Sequence, residues 1–156
     1  MGLHVNKPNR LIGYDYSLDG YYFVTSCVAS WHVLGVLGRE TVQLNALGEI
    51  VQKQLLWLET RYSYVRIDEY VIMPDHIHII VIIDRIWVHE NQVKIKSLSE
   101  LIGAFKTTAS KKIHQTGCLK FAWQHSFHDH IIRNDMDLQR IRQYIRNNPI
   151  VGASRD

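Results

Sequence analysis

Apolar residues alternate or recur along this chain in two different periods, and the switches between them mark out its elements. Tyr21-Tyr-Phe-Val-Thr-Ser-Cys-Val28, introduced by Gly20, is β-branched and aromatic and predicts a first strand. The glycine-punctuated stretch 33–44 predicts a small hairpin. Over 45–62 the period changes: Leu47, Ile50, Val51, Leu55, Leu58 and Tyr62 recur at helical spacing behind Asn45, a residue suited to cap a helix. Residues 64–73 and 75–83 then read as two extended segments joined tightly at Pro74, the second being an almost unbroken run of isoleucine, valine and histidine. A polar excursion, 85–96, ends at Ser97 and Ser99, either of which could cap a second helix over 98–114 with Leu98, Leu101, Ile102, Phe105, Ala109 and Ile113 on its buried side. Gly117 breaks that pattern, His128–Ile132 reads as a short strand, and 135–148 as a last helix that Pro149 should stop.

The order strand, helix, strand, strand, helix, strand, helix predicts a ferredoxin-like (RRM-like) α+β fold: a split βαβ antiparallel sheet with helices on one face, plus a further C-terminal helix. A length of 156 residues with 46% hydrophobic content suits one domain, here 1–156 with 1–13 as an N-terminal tail. The two cysteines, Cys27 and Cys118, are far apart and offer neither a thiolate zinc motif nor a disulfide framework. A reducing cytoplasm fits that usage. No signal core or membrane-length apolar stretch is present, so a soluble protein with no membrane partner is expected.

Net charge is only +3, yet from Lys94 to Arg146 ten basic residues stand against four acidic ones. That half could face a polyanion, or the charges could simply solvate helix faces.

Within the apolar run, His76 and His78 fall at i and i+2, which on a strand places both imidazoles on one face. Burying two such rings side by side is costly unless each finds a hydrogen-bond partner or a metal ion joins them. On the last helix Arg140, Tyr144 and Asn148 are spaced i, i+4, i+8 and share a stripe, beside an apolar stripe of Leu138, Ile141 and Ile145. Read alone, Tyr144 and Asn148 also fit a tied-down tyrosine and a helix-ending asparagine. His125, His128 and His130 could form another metal centre or bond to backbone at a loop edge. His114 reads as a partner of its helix dipole, and Trp123 as core packing or a surface for stacking a base.

Met73-Pro-Asp-His-Ile-His78 resembles the HUH motif (histidine, hydrophobe, histidine) of single-strand tyrosine transposases, and Gln143-Tyr-Ile-Arg-Asn-Asn-Pro149 resembles their tyrosine helix. Tyr14-Asp-Tyr-Ser17, Tyr22-Phe-Val-Thr25, Trp123-Gln124 and Asp129-His-Ile-Ile-Arg133 resemble the REP-associated tyrosine transposase branch, so the likeness runs from about Tyr14 to Pro149. Asp75 departs from the asparagine usual in the family.

The resemblance implies a metal-dependent endonuclease that cleaves and rejoins single-stranded DNA bearing hairpin or palindromic repeats. Tyr144 would attack the scissile phosphate to give a 5′-phosphotyrosine, while His76, His78 and Asn148 hold Mg²⁺ or Mn²⁺. Asn147 is the neighbour that competes with Asn148 for the third place. Arg140, Lys106, Lys111 and Arg133 are the candidates for holding the DNA backbone, and the tyrosine helix could serve its own chain in a monomer or a partner's in a homodimer. A replication initiator or relaxase would share this chemistry, and a domesticated hairpin-binding module would have lost it.

Overall fold

In the computed structural model, residues 11–88 and 93–154 are described; residues 1–10 of the expected tail, 89–92 of the polar excursion and 155–156 lie outside the described residues. Strand β1 (Gly20–Cys27) is followed by a hairpin of β2 (Gly35–Leu37) and β3 (Val42–Leu44), helix α1 (Ala46–Arg61), strands β4 (Val65–Ile72) and β5 (His76–Ile83), helix α2 (Leu98–Gln115), strand β6 (His128–Ile132) and helix α3 (Asp135–Ser154). The main sheet has the order β4-β5-β1-β6, antiparallel throughout, which is the ferredoxin-like arrangement expected; β2 and β3 pair apart from it.

The helix starts are set by caps. Asn45 accepts from the Gly48 amide at 3.0 Å to open α1, and Gly48 is the residue tolerated there because a side chain would overlap the Leu34 carbonyl oxygen. Ser97, not Ser99, opens α2, because only Ser97 has a glutamate three residues on: Glu100 returns the bond in a capping box.

Strand β5 is covered on both faces, which explains its continuous apolar run. Ile77, Ile79, Val81 and Ile83 point into the larger core with Val51, Leu55, Leu58, Leu101, Ile102 and Phe105 from α1 and α2. The opposite face, carrying His78 and Ile80, is covered by α3, whose Leu138, Ile141 and Ile145 pack on Ile80 and Ile132. Each such buried aliphatic side chain contributes about 1.5–3 kcal/mol. Two helices therefore sit on one face and the third on the other.

Helix α3 is further fastened by ion pairs. Arg142 donates twice to Asp68 (2.8 and 2.6 Å), and Arg146 binds Glu69 (3.0 Å). Neighbouring residues on a strand normally face opposite ways, but the register slips between Ile67 and Glu69, and this bulge lets Asp68 and Glu69 both reach α3. Two of the basic residues counted in the second half of the chain are thus structural. Asp68→Ala is expected to cost about 1–2 kcal/mol by leaving Arg142 unpaired in a half-buried position, read as a Tm lowered by a few degrees. An unchanged Tm would mean that the pair does not anchor the helix.

Pro149 does not end α3, contrary to expectation; the helix runs five residues past it. A proline deprives the carbonyl four residues earlier of its donor. Here the ring is itself buried, lining a cleft with Val42, Leu44 and Ile72, and that burial offsets the loss.

Candidate active site

Pro74 and Asp75 form the two-residue turn between β4 and β5, closed by the Met73 amide donating to the His76 carbonyl at 2.8 Å. Two outside amides hold the same turn: Val28 donates to the Asp75 carbonyl (2.9 Å) and Leu34 to that of Pro74 (2.8 Å). The start of β5 is thereby fixed in place. His76 and His78 leave it on the α3 side, with ring centroids 4.8 Å apart.

Both rings are held at Nδ1. His78 Nδ1 lies 2.8 Å from Thr25 Oγ1, its direct neighbour across the β1–β5 ladder, and His76 Nδ1 lies 2.7 Å from the Asp75 carboxylate. With Nδ1 engaged in each ring, Nε2 is the nitrogen that remains for a ligand. His78 is buried, and that burial, with His76 beside it, pushes its pKa down to about 4, so the ring is neutral at neutral pH.

From the other side α3 brings Tyr144 edge-on to His78, ring centroids 5.3 Å apart, with Phe23 bracing both rings at 5.5 and 6.1 Å. Tyr144 remains 51% exposed, so a polymer in solution can reach it. His76, His78, Tyr144, Asn147, Asn148 and Arg140 line one cleft of about 750 Å³. The sequence had no way to show that Thr25 and Cys27 belong to it as well, because strand register is a long-range property. Burial pushes the Cys27 thiol up, so it enters the cleft protonated.

The other candidates are spread more widely. Arg140 stands at the cleft but pairs with Asp137, whose carboxyl is held low by His130 (2.6 Å) and then by Arg140 itself. Lys106 and Lys111 line a different groove on α2, and Arg133 a third, beside Leu11 and Tyr16. His130 is engaged by Asp137, and no three His, Cys, Asp or Glu side chains among the described residues gather as a metal site, so the His125, His128 and His130 group forms none. His114 bonds the Phe121 carbonyl (2.9 Å), and Trp123 packs on Phe105 and Phe121, the core role.

Residues 43–148, two thirds of the chain and including both histidines and Tyr144, match the family described as transposase IS200 like. The chain belongs to the IS200-like transposases. An uncharacterised protein of Haemophilus influenzae is 33% identical to this IS200-like transposase over 164 residues, covering 96% of this chain and 91% of its own. The structure of a REP-associated tyrosine transposase bound to a REP hairpin superposes with a TM-score of 0.63 at 20% identity, over 92% of this chain and 73% of that one, and shares its fold. No helix among the described residues of this transposase is long and apolar enough to cross a membrane.

Proposed function

We propose that this IS200-like transposase is a single-domain, metal-dependent nuclease and strand transferase for single-stranded DNA with hairpin-bearing ends, using Tyr144 as its nucleophile. The observation that carries this reading is the convergence of a strand and a helix far apart in sequence: the ring of Tyr144 stands against His78, in a cleft also lined by His76 and Asn148. A tyrosine tied into the core would not remain half exposed beside two imidazoles. Because α3 packs on its own sheet, the reading has Tyr144 act on DNA held by the same chain.

The donor set fits a divalent ion. Two imidazoles, held through Nδ1 by Thr25 and Asp75, with the Asn148 side-chain amide lining the same cleft, offer the nitrogen and oxygen donors such ions accept. His76, His78 and Asn148 would hold Mg²⁺ or Mn²⁺, which supplies Lewis-acid polarisation of the phosphate oxygens.

The protein's own part is positioning. Tyr144 Oη attacks phosphorus in line; the tyrosyl oxygen–phosphorus bond forms as the bond to the 3′ oxygen breaks, the phenol proton passes to solvent and the leaving oxygen takes one up. A 3′-hydroxyl on a second strand then attacks the phosphotyrosine and restores Tyr144. Phe23 and His78 fix the direction of the phenol ring, and Arg140 at the mouth offers a cation to the backbone. A single strand suits this cleft because a stacked duplex hides the in-line approach.

The test is incubation of the purified protein with hairpin oligonucleotides from the flanks of its own gene, single-stranded or annealed, with Mn²⁺, Mg²⁺ or chelator. Cleavage confined to the single strand and lost with chelator is expected. Binding with no cleavage under any of these conditions would count for a recognition module instead. Thr25→Val should weaken Mn²⁺ binding, measured by calorimetry, about 10–100-fold, because His78 loses the hydroxyl that orients it. An unchanged affinity would remove Thr25 from the site.

A further inference from the structure

Outside the cleft a groove of about 870 Å³ runs along the outer face of α2 and is lined by Lys106, Lys111, His114, Trp123, Gln124 and His125 among others, with no acidic residue among the described lining. Its basic character is complementary to a polyanion. The groove adjoins the cleft through the backbone: Gln124 in its wall donates to the carbonyl of Cys27 (2.9 Å), which lines the cleft, and Lys106 Nζ donates to the carbonyl of Gln124 (2.8 Å).

Next in the chain to Ser30, which bonds Ala122 of the groove wall, stands Trp31, 80% exposed. A solitary exposed ring would need no explanation. This one is held: it stacks face to face on His32, centroids 4.0 Å apart and planes 19° from parallel. His32 is buried, its Nδ1 lies 2.9 Å from Ser30 Oγ, and it sits edge-on to Phe121 in the groove wall. Ser30 is tied to the wall in turn, its amide donating to the Ala122 carbonyl and its hydroxyl accepting from the Ala122 amide. One face of the indole is thus covered by His32, while the side chain as a whole stays 80% exposed next to the residues that wall a cationic groove. Aromatic stacking platforms next to lysines are how single-stranded nucleic acids are held without reading sequence.

We infer that Trp31 stacks a base, and that Lys106 and Lys111 hold the backbone, of a single-stranded DNA segment that continues from the catalytic cleft across Cys27 and Gln124 into the α2 groove. This rests on the proposed action on single-stranded DNA and adds a second binding element to it. Stacking needs no metal and no nucleophile, so the two can fail separately.

The experiment is anisotropy titration of a fluorescein-labelled oligothymidine about a dozen nucleotides long, in chelator, with the wild type, Trp31→Ala, Trp31→Phe and Lys111→Ala. Trp31→Ala should weaken binding about tenfold, Trp31→Phe much less, and Lys111→Ala should lower the salt dependence by about one ion, while a duplex of the same length shows no dependence on Trp31. Binding unchanged within twofold in Trp31→Ala overturns the inference, whether or not the protein cleaves hairpins. So does a Trp31→Ala protein that binds DNA normally but loses self-association in sedimentation velocity, since Trp31 would then be covered by a second copy. Trp31-dependent binding in a protein that forms no covalent adduct leaves this site standing and removes the cleavage chemistry.

Discussion

Tyr144→Phe is expected to abolish covalent capture of DNA while leaving hairpin binding within about threefold. The change removes one oxygen and keeps the ring, so the edge-on contacts with His78 and Phe23, and the seat of α3 on the sheet, are retained. The hydroxyl is the only part of that side chain that can form the bond to phosphorus. Binding, by contrast, is spread over the basic and aromatic surface. The selective loss is what separates a nucleophile from a packing tyrosine; measured by denaturing gel and by anisotropy on the same preparation, strong residual cleavage in the phenylalanine variant would sink the assignment.

His78→Ala should lose metal-dependent cleavage, by at least about a hundredfold, and His76→Ala should do the same. The two differ in a way the structure makes useful. His78 is buried under α3 and touches Thr25, Phe23 and Tyr144, so its removal also leaves a void beneath the tyrosine and should lower the Tm. His76 lies nearer the surface and is held by the exposed Asp75, so its alanine variant should keep the wild-type Tm and lose the activity alone. His76→Ala is therefore the cleaner test: full cleavage by that variant would exclude it from the metal site.

Much of the site could be read from two short segments because each carries a local geometry. A strand puts His76 and His78 on one face whatever it pairs with, and a helix aligns Arg140, Tyr144 and Asn148 whatever it packs on. What brings the segments together is long-range. Thr25 stands opposite His78 only through the register of β1 against β5, and the position of α3 rests on a bulge that turns Asp68 and Glu69 the same way; neither is marked by a local signal. The charge count is scattered for the same reason: Arg142 and Arg146 hold α3, and Arg140, Lys106, Lys111 and Arg133 divide among three surfaces. Pro149 misled because the rule for proline weighs the lost backbone bond and not a ring that the fold buries. Trp31 drew no attention in the sequence, since its significance lies in the stack on His32 and in the basic groove beside it.

The claim on which the account turns is that Tyr144 becomes joined to the 5′ phosphate of the fragment downstream of the cut. A hairpin oligonucleotide labelled in parallel at its 3′ or its 5′ end, incubated with protein and Mn²⁺ and run on a denaturing protein gel, measures this directly. The account predicts a slow-migrating adduct with the 3′ label only, absent with chelator and absent in Tyr144→Phe. An adduct carrying the 5′ label, or cleavage products with no adduct and undiminished in Tyr144→Phe, would contradict it.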